Sequence, residues 1–305
     1  MAQLIKLNDY ISRYEWNMYR YPSQFTRLKQ ENWKKLHTLW ETQQNSLLSI
    51  EQDRELAKST FSKWKAILKR EPVAEEPGET ELPKTEQELK QYFLDKLLPL
   101  QLKWASSTVT DLSFMDQSFG DDETLKYFLQ RFPDTYLVMY HPIFTIKKAP
   151  VEGEIIFISP IGIEVIYVLE EDDATRIYAL EERMWMGESN RKQRKIVSPL
   201  FALKRTEQII KSILKKQDID FPVKKVVLSR TNRIIAESKP YHTNIIGKRE
   251  YNQWFTEKRN LVSPLKNRQL KAAEALLAYC QSVSVKRPEW EEEESPVFSM
   301  DNEGL

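Results

Sequence analysis

The stretch Gly153–Glu171, G-E-I-I-F-I-S-P-I-G-I-E-V-I-Y-V-L-E-E, constrains this chain more than any other. Two β-branched runs, Ile155–Ile158 and Ile163–Leu169, flank Ser159-Pro160-Ile161-Gly162. β-Branched side chains fit a pleated surface, and short apolar runs bounded by Pro and Gly mark buried strands. The segment therefore reads as a buried hairpin.

The surrounding pattern alternates. Asp121-Asp122 should cap a helix with Leu125, Phe128 and Leu129 on its apolar side, ending before Pro133. Tyr136–Tyr140 and Ile143–Ile146 read as strands, as do Arg176–Leu180, Val223–Leu228, Ile234–Ala236 and Asn244–Ile246. Ser198-Pro199 should open a helix running to about Lys216, with Ser as cap and Pro as first residue. Arg249–Lys258 and Pro264–Cys280 complete the helices, the latter capped by Ser263. Strands alternating with helices imply an α/β core of mixed sheet covered by helices, over 120–283.

Outside that core, residues 1–70 read as a helical region. Apolar residues recur at helical spacing, as in Trp33, Leu36, Leu39 and Trp40, then Phe61, Trp64, Ile67 and Leu68. The rings of Tyr10, Tyr14, Trp16, Tyr19, Tyr21 and Phe25 would clamp helices around a bend at Pro22, or offer a partner-binding or base-stacking surface. Residues 71–87, rich in Pro and Glu, bury too little to fold and read as an acidic linker. Thr85 and Glu88 form a capping box that starts a connecting helix, 88–119, with Leu89, Phe93 and Leu97 on one face. Residues 284–305 read as an acidic disordered tail.

The 305 residues suffice for one large domain or two ordinary ones. No apolar run approaches a membrane span, so no membrane partner is expected. The first residues lack the apolar core of a secretion signal. The single cysteine, Cys280, excludes an internal disulfide and reads as a buried thiol in a reducing compartment, so the expected location is cytoplasmic. Seven glycines leave no phosphate-cradling loop. His37, His141 and His242 stand in no metal-ligand spacing.

Four pieces in order carry a resemblance across about 120–258: Asp122-Glu123-Thr124-Leu125; the hairpin 154–171; Ser198-Pro199-Leu200-Phe201-Ala202-Leu203-Lys204-Arg205-Thr206-Glu207; and Val223–Leu228 with the Ile245-Ile246…Phe255 segment after it. Together they resemble the NERD family, nuclease-related domains on a restriction-endonuclease-like core. The resemblance implies a mixed sheet flanked by helices and a metal-dependent nuclease site. Carried over residue by residue, the first-strand Asp of that site falls on Glu154, the Glu-x-Lys on Tyr167-Val168-Leu169, the helix Gln on Ala202 and the helix-start Glu on Glu123. One metal-ligand position, Glu154, thus keeps a carboxylate. Tyrosine, protonated below a pKa of about 10, is a poor Mg²⁺ ligand, and leucine offsets no charge on a scissile phosphate. Of the acids that could refill the site, Glu164 and Glu170 have the wrong strand parity, and Glu171 falls toward a turn.

From Arg176 to Arg268 basic residues outnumber acidic ones by roughly two to one. Arg191, Lys192, Arg194 and Lys195, with Lys204 and Arg205, form the clusters best suited to phosphate. The expected function is a catalytically inactive nuclease-related protein that binds DNA or RNA on this basic face and carries no cofactor. Two alternatives stand beside it: a residual Mg²⁺- or Mn²⁺-dependent DNA nuclease, and a scaffold that binds a protein partner through residues 1–70.

Overall fold

The computed structural model describes residues 1–49 (backbone alone over 43–49), 83–172, 175–179, 183–189, 192–236, 240 and 242–287. The expectations for Phe61–Leu68, most of the acidic linker, Arg191 and the tail beyond 287 lie outside the described residues.

The chain opens with β1 (Gln3–Leu7), the one-turn helix α1 (Arg13–Trp16) and the long α2 (Tyr21–Ser49). Helix α3 (Glu86–Trp104), β2 (Asp111–Leu112) and α4 (Glu123–Arg131) follow. Next come β3 (Leu137–Tyr140), β4 (Ile143–Ile146), β5 (Ala149–Glu152), β6 (Ile155–Ser159) and β7 (Gly162–Val168). Strands β8 (Arg176–Ala179), β9 (Met184–Ser189) and β10 (Lys192–Val197) lead into α5 (Leu200–Lys216). Then come β11 (Val223–Leu228), β12 (Arg233–Ala236), β13 (Thr243–Ile246), α6 (Tyr251–Arg259), α7 (Asn267–Leu277) and β14 (Val285–Lys286).

The molecule is mixed α/β, built on a six-stranded sheet of order β1-β3-β6-β7-β11-β13. Strands β3, β6 and β7 form an antiparallel meander. Helix α5 then returns the chain so that β11 lies parallel to β7, and β13 adds parallel to β11. The β-branched runs sit at the centre of the sheet because both faces are buried. Ile156, Ile158, Ile163 and Val165 pack with Leu203 and Ile210 of α5 and Ala272, Ala273 and Leu276 of α7. Ile155, Phe157 and Ile166 face Leu89 and Phe93 of α3, Leu125 and Phe128 of α4 and Trp254 of α6.

Local signals place most helix ends. Thr85 and Glu88 cap α3 reciprocally, and the Asp122 side chain accepts from the Leu125 N–H to start α4. Ser198 Oγ accepts from the Leu200 N–H at 3.3 Å, so α5 starts one residue beyond Pro199. The last helix starts at Asn267, not at Pro264. Its first turn is fixed by Gln269, whose amide donates to Thr135 O and Ile158 O while its oxygen accepts from Lys266 N–H.

The opening residues differ from expectation. Gln3–Leu7, read as helical, is an edge strand parallel to β3. It is fully buried because Ile5 enters one core while Leu4 and Leu7 enter the other, across a bulge between Leu4 and Lys6. Gln101 of α3 acts as the missing neighbour strand, accepting from Leu4 N–H at 2.7 Å and donating to Ala2 O at 2.8 Å. Lys6 is fully buried, and its ammonium donates to Tyr10 O, Glu15 Oε1 and Ser282 Oγ. The beginning of the chain is therefore part of the main sheet rather than a separate helical region. Tyr14, Tyr21 and Phe25 close around Trp104, with ring centroids 5.7–6.1 Å apart, leaving Trp16 and Tyr19 exposed. At the other end β14 pairs with β2, so 285–286 belong to the folded body and not to the tail. No helix among the described residues is long and apolar enough to cross a membrane.

Candidate functional site

Strand register builds the site. Ile155 pairs with Ile166, which places Glu154 and Tyr167 opposite one another at the next position of the hairpin. Helix α5 packs against this end: Thr206 Oγ1 accepts from the Glu154 backbone N–H at 3.2 Å. Arg205, one residue earlier, sits with Nη2 3.9 Å from Glu154 Oε1 and donates to Glu152 O at 3.1 Å. His141 follows β3 in a left-handed conformation (φ 44°), with Nδ1 3.8 Å from Glu152 Oε1. The β4–β5 hairpin inserted between β3 and β6 returns the chain beside His141, which brings Glu152 there.

The Glu154 side chain is 13% exposed. Burial holds its carboxyl above the usual range, and the electrostatic influence of the neighbouring His141 and Arg205 side chains opposes that rise. Tyr167 is half-buried; burial, then the Glu154 charge, raises its phenol. The position is therefore a partly desolvated carboxylate facing a neutral phenol, with a guanidinium and an imidazole at its rim.

Leu169, expected from the resemblance to stand where a nuclease would carry lysine, is 6% exposed and part of the core below α5. Ala202 lies on the first turn of α5, half-buried. Glu123, the first residue of α4, is exposed, and among the described residues it makes no hydrogen bond or ion pair; α4 packs on the opposite face from α5. The neighbouring acids are committed elsewhere. Glu164 pairs with Lys258 of α6, Glu171 pairs with Arg194 of β10, and Glu170 grips Arg230 through two bonds of 2.7 Å. Arg230 stacks on Tyr127 at 4.5 Å, closing the end of β11 over α4. Mg²⁺ needs oxygen ligands, usually with more than one carboxylate or phosphate. A lone Glu154 beside a protonated phenol and a leucine does not fit it. Among the described residues no three His, Cys, Asp or Glu side chains converge in a metal-holding group.

The basic residues fall on two consecutive elements. β10 is the outer strand of a second sheet of order β10-β9-β8-β12, and Lys192, Arg194 and Lys195 are exposed along it. The chain then turns through Ser198-Pro199 into α5, where Lys204 and Arg205 are exposed. Arg194 and Arg205 already hold acids; Lys192, Lys195 and Lys204 have no ion pair among the described residues. The phosphate candidate Arg205 and the metal-position candidate Glu154 thus prove to be neighbours. His141 and Thr206 were not legible as site residues, since the inserted hairpin and the α5 crossover alone bring them to Glu154.

One similar protein, described as an RNA 2',3'-cyclic phosphodiesterase from Geobacillus stearothermophilus, is 35% identical over 113 residues. The match covers 33% of this chain and 36% of that protein, so the chain spans about a third of the curated relative's length. No protein-family profile matches the chain, and no solved structure does.

Proposed function

We propose that this protein is a nuclease-related protein of NERD type, on a restriction-endonuclease-like core, that binds nucleic acid without cutting it. The observation that carries the reading is the path α4–β3–β6–β7–α5–β11, with Glu154 just before β6 opposite Tyr167 in the hairpin register and Leu169 buried two residues further on. That path and placement support a nuclease-type scaffold, and Tyr167 and Leu169 support loss of hydrolysis. Phosphate would be held by Lys192, Lys195 and Lys204, with Arg205 at the rim of the Glu154 site. Such binding is salt-sensitive and carries little sequence preference. No cofactor enters the reading.

The test compares binding and cleavage on labelled DNA and RNA, with Mg²⁺ or Mn²⁺, for the intact protein, Glu154→Ala and Lys204→Glu/Arg205→Glu. Binding by the intact protein that the charge reversal abolishes, with no cleavage, is the expected result. Cleavage lost in Glu154→Ala would overturn the inactive reading. A second reading is favoured by the partial similarity to the cyclic phosphodiesterase: metal-independent hydrolysis of a phosphodiester at the His141–Glu154–Arg205 edge. RNA ending in a 2',3'-cyclic phosphate, incubated with EDTA, separates the two readings.

A further inference from the structure

Helix α5 leaves an aromatic ring uncovered among cations. Phe201, on its first turn, is 50% exposed and has no ring partner among the described residues. Lys204, Arg205 and Gln208 follow at three, four and seven residues, the spacing of a single helix face, and all are exposed. The buried face is complete without Phe201: Leu203, Thr206 and Ile210 occupy it. Four residues before Phe201, Val197 at the end of β10 is 71% exposed, and Lys195 shares its side of the strand. The alternate residues Arg194 and Ile196 turn the other way, over Gly187.

A duplex presents phosphate to a basic surface but hides the faces of its bases. A single strand presents both, and every base has a face that stacks on an aromatic ring. A ring with cations three and four residues along the same face matches the second ligand and not the first. We infer that the face made by Phe201, Lys204, Arg205 and the Val197 end of β10 binds single-stranded nucleic acid. One base stacks on the Phe201 ring, and the flanking phosphates lie on Lys204 and Lys195. This rests on the nucleic-acid reading above and narrows its ligand to the single strand.

The experiment is fluorescence anisotropy with labelled single-stranded DNA, single-stranded RNA and duplex DNA of equal length. It compares the intact protein with Phe201→Ala and Phe201→Trp, with thermal midpoints as a control for folding. Stacking of a base on one ring makes Phe201→Ala weaken single-strand binding by roughly 5- to 100-fold. Phe201→Trp should restore it, and duplex affinity should not change. The two single strands decide whether the site distinguishes RNA from DNA. Single-strand affinity unchanged in Phe201→Ala, or lost equally on the duplex, overturns the ring's role while leaving a phosphate-binding face. An intact protein that binds none of the three overturns the nucleic-acid reading itself.

Discussion

On the nuclease-related reading proposed above, a second carboxylate and a lysine in the β6–β7 hairpin should make the protein respond to Mg²⁺. The perturbation is Tyr167→Glu with Leu169→Lys. Residues directly opposite in an antiparallel pair carry Cβ atoms about 5 Å apart, so two carboxylates at 154 and 167 would reach one ion with bonds of about 2.0–2.1 Å. Without metal the variant should suffer twice. Leu169 is 6% exposed, and removing a buried leucine forfeits about 2 kcal/mol, partly regained by the lysine stem. The new carboxylate also faces Glu154, whose charge burial already disfavours and Arg205 only partly offsets. The expected loss is about 2–4 kcal/mol, read by urea unfolding in EDTA. Adding Mg²⁺ at ten times its dissociation constant should return about 1.4 kcal/mol, because binding to the folded state alone stabilises by RT ln 11. The unmodified chain should show no Mg²⁺-dependent shift. A variant that unfolds at the same midpoint with Mg²⁺ as with EDTA would refute the placement of Glu154 and position 167 around a common ion site.

Two further outcomes follow from the structure. Gln101→Met keeps the length of a side chain that is 1% exposed but orphans Leu4 N–H and Ala2 O, at about 1–3 kcal/mol each. The protein should lose about 2–5 kcal/mol in urea unfolding; a loss below about 1 kcal/mol would mean that the edge of β1 finds other partners. Burial pushes the Cys280 thiol up to about 12, against the opposing charge of Lys6. Native protein should therefore resist iodoacetamide at pH 8 while urea-unfolded protein reacts readily, and the stability that the un-ionised native thiol confers should fall as pH rises from about 9 toward 12. Rapid native alkylation at pH 8 would contradict this.

The sequence made legible whatever depends on near neighbours. The β6–β7 hairpin is announced by its Pro and Gly, the α3 and α4 starts by Thr85, Glu88 and Asp122, and the placing of Glu164 on the other face of the sheet from Tyr167 by strand parity. What failed to show was set by distant partners. Gln3–Leu7 carries no turn signal and becomes a strand only because β3 lies 134 positions on, pairing Gln3 with Leu137. The polar run Lys192–Val197 has no apolar alternation, and its extended form comes from pairing with β9. The approach of Arg205 to Glu154 depends on where the α5 crossover lands, which neither segment encodes alone.

The acids near Glu154 are not free to supply a second ligand beside it. Each candidate is held by a cation from a different element: Glu164 by Lys258 of α6, Glu170 by Arg230 after β11, and Glu171 by Arg194 of β10. Removing one member of a partly buried pair strands the other, at a cost that reaches about 3–5 kcal/mol when the pair is fully buried. A carboxylate borrowed from any of these pairs would therefore undo a strut between elements to gain one metal bond. Tyr167, opposite Glu154 in the hairpin register, has no such commitment among the described residues. A new carboxylate at that position tests the site directly, whereas moving an existing one would confound metal binding with loss of the fold.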